Sequence, residues 1–167
     1  LREWIGSGNR GELVDAKRTS ARPPNESFAG CLLIMDDNHF LIEWLAYHYH
    51  VLPLRNLIVT VDPRSRTSPF PILKRWENLM NITIWFDTDF MNHSALEEAE
   101  SWVRIKFDGP SSTLIRHRAR QRLFYYRCLK EHKTNDRQWT ILTDSDEFLL
   151  ANDESITKMR SYTPPSI

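Results

Sequence analysis

Trp139-Thr140-Ile141-Leu142-Thr143-Asp144-Ser145-Asp146-Glu147-Phe148-Leu149 decides the reading of this chain, because five β-branched, aromatic or aliphatic residues run straight into three carboxylates. The apolar run suits a short central strand, and Asp144, Asp146 and Glu147 then fall at its carboxyl end. Carboxylates crowded at one strand end repel one another and raise each other's pKa, so they commonly hold a cation or a polar ligand. An isolated Asp-x-Asp recurs by accident as a solvated turn, so its weight depends on the rest of the chain.

Working outward, the same design recurs. Cys31-Leu-Leu-Ile-Met35 is an apolar run of strand length followed by Asp36-Asp37, either of which can cap a helix. That helix carries Leu41, Trp44, Leu45 and His48 on one face until Pro53 stops it. Asn56-Leu-Ile-Val-Thr-Val61 reads as a second strand ending on Asp62. After a polar loop, Ser68-Pro69 opens a helix with Ile72, Leu73, Trp76, Leu79 and Met80 facing inward. Residues 81–86 read as a third strand ending in Asp87-Thr-Asp89, and Ser94-Ala-Leu-Glu97 reads as a capping box. The helix it opens turns Leu96, Ala99, Trp102 and Val103 inward and is stopped by Asp108-Gly-Pro110. A longer helix starts at Ser111 or Ser112 and runs to about Lys133, with Ile115, Ala119, Leu123 and Tyr126 as its stripe. Arginines 116, 118, 120, 122 and 127 surround that stripe; a solvated face explains most of them, and one or two are placed to fork a phosphate. A weak helix signal covers residues 153–159.

The 167 residues, 41% hydrophobic with six Trp, can bury one domain's core. Residues 1–28, rich in Gly, Ser, Arg and Pro, read as a linker or lead-in, leaving 29–167 as the domain. Lys plus Arg and Asp plus Glu both number 22, so nothing in the total points to nucleic acid. No apolar run reaches membrane-span length, and any anchor is expected outside this segment. Two cysteines, Cys31 and Cys128, read by default as buried thiols, with one bridge open to them in an oxidising compartment. Asn25-Glu-Ser27, Asn81-Ile-Thr83 and Asn92-His-Ser94 are glycosylation acceptor patterns that hint weakly at a lumen.

Strands separated by helices predict parallel crossovers, which put all four strand ends on one edge. Asp36-Asp37, Asp62, Asp87 with Asp89, and Asp144 with Asp146 then meet there, where open α/β sheets bind ligands. An anionic ligand at such an edge needs a divalent cation between itself and the acids, and hard oxygen ligands suit Mn²⁺ or Mg²⁺. A rival reading is a receiver-like phosphoacceptor domain, since Ile34-Met-Asp-Asp-Asn38 and Phe86-Asp87 fit its first and third strand ends; its later hydroxyl and Lys have no good counterparts.

The blocks Asp37-Asn-His-Phe-Leu-Ile-Glu43-Trp44-Leu-Ala-Tyr-His48 and Trp139 to Phe148, with Gln121 and Cys128 between them, resemble the GT-A nucleotide-sugar glycosyltransferases, family 92 in particular. The likeness covers about residues 31 to 150. It departs at Asp37, where the family usually has Glu, and at Asp62-Pro63, where the family has Asp-Asn. The resemblance implies a Rossmann-like, mostly parallel α/β sheet flanked by helices, truncated to the nucleotide-binding half. It further implies a divalent metal on Asp146 and Asp144, and nucleotide contacts from Asp37, Asp62 and Asp144; from the arginine run, Arg118 is the residue expected on the nucleotide phosphates. A UDP-sugar donor, galactose being one candidate, and a glycan or glycoprotein acceptor go with it, as does a type II membrane protein of the Golgi lumen or secretory pathway. Glu43 is expected to pair with an Arg beneath the site and His48 to be packed. The catalytic base is expected from a later acceptor-binding half, so none is assigned. A non-catalytic nucleotide-sugar-binding module is the remaining alternative.

Overall fold

A computed structural model describes residues 28–107 and 111–161. Residues 1–27 of the lead-in, the Asn25 pattern and the helix stop at 108–110 lie outside the described residues, while Phe28, read as the last residue of the lead-in, opens the first strand and is buried in the core. All four apolar runs become strands: β1 (Phe28–Ile34), β2 (Leu54–Val61), β3 (Asn81–Trp85) and β4 (Thr140–Leu142). Between and after them come helices α1 (Asn38–Val51), α2 (Phe70–Lys74), α3 (Asp87–Phe90), α4 (His93–Lys106), α5 (Ser112–Thr134) and α6 (Asp153–Ser161). The strands pair in parallel in the order β3-β2-β1-β4, so the strand order reverses between β1 and β4.

A parallel pair cannot be closed by a hairpin, so each crossover returns over a face of the sheet and buries it. This is why β1 is apolar throughout. Phe28, Leu32 and Ile34 join Leu41, Trp44, Leu45, Leu73 and Ile156 on one face. Cys31 and Leu33 meet Phe90, Phe124 and Cys128 on the other. Gly30 lets the rows close up, because a Cβ there would lie 3.1 Å from Leu57 Cδ1 and 3.3 Å from Leu54 Cδ1. The architecture is the Rossmann-like α/β sheet expected from the strand pattern.

Three details depart from expectation. The Asn92 amide oxygen, not Ser94, caps α4, accepting from Ala95 N–H at 2.9 Å and also from the Ser94 hydroxyl. Tyr126 is 69% exposed and Leu79 is 50% exposed, since the buried stripe of α5 is rotated from an apolar count and the chain after α2 turns out at Leu79. The Ile115–Ala119 stripe packs against Ala99 and Val103 of α4 and leaves the sheet to another side of α5.

Cys31 and Cys128 are buried as expected and bridged, Cα–Cα 6.1 Å apart, which fixes α5 to the middle of β1 and replaces the default of separate thiols with the bridge that the sequence left open. One turn on, His132 Nε2–H donates to Gly30 O at 3.0 Å. The bridge spans 97 positions of sequence, so opening it releases a long loop in the unfolded chain. Reduction should lower the unfolding free energy by about 2–5 kcal/mol, read as a drop in urea midpoint with and without reductant. An unchanged midpoint after complete reduction would show that the link contributes nothing.

Candidate functional site

Strand ends gather at one edge of the sheet, and α5 lies across them. With 3.6 residues per turn, positions 117, 120, 121, 124, 125 and 128 form one stripe of that helix. The stripe reads His, Arg, Gln, Phe, Tyr, Cys, and each member has a partner on the sheet side. His117 Nδ1 lies 3.0 Å from Asp62 Oδ2, and Arg120 forms an ion pair with Asp87. Gln121 Nε2–H donates to Asp144 Oδ1 at 3.2 Å, and the Tyr125 hydroxyl lies 3.4 Å from the same oxygen. Phe124 packs edge-on against Phe90 and Trp85, and Cys128 closes the bridge to Cys31.

At the end of β1, Asp36 takes up a left-handed conformation, φ 61°, which a short polar side chain tolerates. Its carboxylate accepts from the backbone N–H groups of Arg66 and Thr67 at 2.6 and 2.8 Å and from the hydroxyls of Ser65 and Thr67. The Thr67 backbone N–H is the largest cause of its depressed pKa. Asp36 thus clamps the loop after β2. Asp37 stands at the α1 N-terminus without capping it, its carboxylate turned back to accept from Met35 N–H at 3.2 Å.

Asp62, at the end of β2, is only 2% exposed. Arg64 grips it through Nε and Nη2, both at 2.9 Å, and through its own backbone N–H. Burial alone would raise this carboxyl, but the hydrogen bonds from Arg64 and His117 outweigh it and hold the pKa far below the usual range. At the end of β3, Asp87 is held by Arg120, and Asp89 Oδ2 accepts from Phe86 N–H at 2.7 Å. Both acids of that pair therefore have structural partners.

The acids after β4 are treated differently. Asp144 and Glu147 close a turn on themselves, with Asp144 N–H donating to Glu147 Oε2 and Glu147 N–H to Asp144 O. Ser145 is buried between them, while Asp144, Asp146 and Glu147 are exposed. Partial desolvation of its carboxyl beside Tyr125, then the charges of Glu147 and Asp146, push the Asp144 pKa up although the residue as a whole is exposed. Tyr125 beside it is pushed up to about 12 by burial and by the Asp144 charge. Among ion pairs of the described residues, none reaches these three acids. Two buried polar atoms nearby in sequence, Asn38 Oδ1 after Asp37 and Thr143 Oγ1 before Asp144, have no hydrogen-bond partner among the described residues.

The loop is fixed from the other face by α1. Phe148 stacks on His48 at 5.8 Å and meets Tyr47 edge-on at 5.3 Å, while the Tyr47 hydroxyl donates to Leu149 O. His48 Nδ1 lies 2.8 Å from Trp44 O, so it carries the hydrogen, and Nε2 is left to accept from Leu149 N–H at 3.5 Å. The two most distinctive sequence blocks are thus in contact. Glu43 is exposed and has no ion pair among the described residues. Arg118 stacks its guanidinium over the Phe107 ring, 4.2 Å from the centroid, toward the end of α4 and not toward the acids.

The structure therefore brings together Asp144 and Asp146 and sets Asp62 nearby, with His117, Arg64, Gln121 and Tyr125 as partners. Of these partners the sequence reading singled out only Gln121. Among the described residues, the trio of potential metal ligands within 4.8 Å of one another is Cys31, Cys128 and His132, two of which are bridged; no trio of acids converges so closely. A cleft of about 550 Å³ opens beside Asp62, lined by Arg66, Phe70, Trp85, Phe86 and Asp87 among others. Comparison with protein-family models, with curated proteins and with solved structures finds no match for this chain.

His48 and His132 are both buried, and burial is the largest cause of their lowered pKa values. The unfolded chain then takes up these protons first, so stability is complete above about pH 6.5 and is lost as pH falls below it. Urea midpoints at pH 7.5 and 5.5 should differ measurably for the native sequence and less for a His48→Gln/His132→Gln variant. Equal pH slopes in the two proteins would remove both histidines from the account.

Proposed function

We propose that this chain is the nucleotide-binding part of a metal-dependent glycosyltransferase with the GT-A fold, most like family 92. It would take a sugar from a UDP-sugar donor to a hydroxyl of a glycan or protein acceptor. The observation that carries the reading is the uncompensated group Asp144, Asp146 and Glu147, placed where the strand order reverses in a parallel sheet. A carboxyl such as Asp144, pushed up by desolvation and by the neighbouring charges of Glu147 and Asp146, is relieved by a cation. The donor set fits Mn²⁺ or Mg²⁺: Asp144 and Asp146 would supply two hard oxygens, with water and donor phosphates completing the shell. When bound, such a cation neutralises charge building on the departing diphosphate.

The chain's own residues then have definite tasks. Gln121 and Tyr125 orient Asp144, and His48, Tyr47 and Phe148 fix the far end of the acid loop. The bridged Cys31 and Cys128 support a proposal that the protein works in an oxidising compartment, the Golgi lumen or secretory pathway. Asn81 is exposed at the start of β3, as a glycan acceptor must be. No described helix is long and apolar enough to cross a membrane. The receiver reading fares worse, because its candidate phosphoacceptor, Asp87, is tied to Arg120.

UDP should bind with Mn²⁺ and lose that affinity when a chelator is added, as measured by calorimetry; equal affinity in both conditions sinks the metal bridge. Asp146→Asn should cut metal affinity at least tenfold, about 1.4 kcal/mol, while stability changes by no more than about 1 kcal/mol. Asp89→Asn should leave metal binding intact, since that carboxylate serves Phe86 N–H. Loss of metal in the Asp89 variant alone would move the site to β3. Release of sugar from a UDP-sugar by the full chain separates an enzyme from a binding module.

A further inference from the structure

A nucleotide held at an acid edge gains from a cationic side chain on its phosphates besides a metal, and the guanidiniums of this chain are unequally suited to that. Arg120 is buried against Asp87, and Arg118 lies over Phe107. Arg66 lines the cleft, but no contact of its guanidinium is seen among the described residues. Arg64 alone of these is both held and accessible: its side chain is 42% exposed while its Nε and Nη2 are locked on Asp62.

Asp62 is in no position to bind a ligand itself. Oδ1 takes Arg64 Nε–H and the Arg64 backbone N–H, and Oδ2 takes Arg64 Nη2 and faces His117 Nδ1. Those contacts use about all the lone-pair sites a carboxylate has, roughly four. His117 Nδ1 also stands 2.9 Å from Arg64 Nη2; with its hydrogen given to Asp62 it cannot accept from the guanidinium as well, so the imidazole holds Arg64 through the carboxylate they share. Arg64 Nη1 has no partner among the described residues. A guanidinium fixed along one edge keeps its planar fork aimed, and little rotamer entropy is lost when the other edge takes a bidentate oxyanion. The place is also right: Arg64 lies on the α5 side of the β2 end, against His117, and one turn along that helix Gln121 reaches Asp144, while its neighbours Asp62 and Ser65 line the cleft.

We infer that Arg64 is the phosphate-binding residue of this site, and that Asp62 and His117 are positioning residues that hold it. The inference rests on the nucleotide reading above and assigns Asp62 the support of Arg64 in place of direct contact with the nucleotide.

The test uses pyrophosphate, UMP and UDP, each with Mn²⁺, titrated calorimetrically into the native chain, Arg64→Lys, and the double variant Arg64→Met/Asp62→Asn. The double change removes both charges together, so no carboxylate is left buried alone; a melting curve checks that it folds. Expected are at least a tenfold loss of pyrophosphate and UDP affinity in the double variant and a partial loss in Arg64→Lys. The preference for UDP over UMP should shrink in both, which a merely structural role for Arg64 would not produce. His117→Ala should weaken pyrophosphate binding, and His117→Asn, whose amide can still donate to Asp62, should restore part of it; native affinity in His117→Ala would remove His117 from the positioning role. If the native chain binds UDP and the Arg64 variants match it, the inference fails and the nucleotide reading stands. If pyrophosphate binds through Arg64 with no gain for UDP, the anion assignment stands and the nucleotide reading fails. A native chain that binds neither overturns both.

Discussion

The packing of one polar stripe of α5 across the ends of the strands is the constraint on which the site depends. Acids delivered by β2, β3 and β4 are separated by tens of residues in sequence, yet His117, Arg120, Gln121 and Tyr125 reach them from two turns of a single helix. Helical period sets the spacing of these partners, and the roughly 4.8 Å spacing of neighbouring strands sets the spacing of the acids. The Cys31–Cys128 bridge and the His132–Gly30 contact then fix the helix lengthwise, so its upper turns stay in register with the edge.

The fold discriminates among its carboxylates. Asp36, Asp62, Asp87 and Asp89 each find donors in the protein: backbone amides, guanidiniums or hydroxyls. A buried or half-buried acid so supplied is an internal structural joint, and Asp62 shows the consequence in its depressed pKa. After β4 the supply stops. Asp144 receives two weak neutral donors and two carboxylate neighbours, and its pKa moves the other way. The donors around each acid, four on Asp62 against two long contacts on Asp144, separate scaffold from candidate site, and the opposite pKa directions follow from them.

Much of this was legible in the sequence. Strands buried on both faces betray themselves as continuous apolar runs, and each was followed by its acid, so sheet, edge and acid positions could all be read. His48 and Phe148 were also readable as parts of distinctive blocks, although not that they stack on each other. The polar stripe of α5 was not legible. Apolar periodicity selects the side that meets α4, through Ile115 and Ala119, and a mixed run of His, Arg, Gln and Tyr has no signal until the acids opposite are known. Arg64 left a trace, since an Asp followed two residues later by Arg at a strand end can fold back into a fork. Arg118 was chosen from a crowd of arginines by charge alone, and an aromatic ring claimed it. The bridge was hidden by its 97-position separation.

The shortness of β4 has a thermodynamic consequence. It holds the sheet by three paired positions on β1 alone, whereas β1 and β2 share seven. Few ladder bonds mean that local opening of this edge strand costs far less than unfolding the domain. The uncompensated acids therefore ride on the piece of the sheet most able to detach, retained mainly by side chains of α1 and α5. A ligand spanning the edge from β2 to β4 would draw on mass action to close that opening. Order in the acid loop would then be a quantity set by ligand concentration, with three neighbouring carboxylates carried where yielding disturbs the core least.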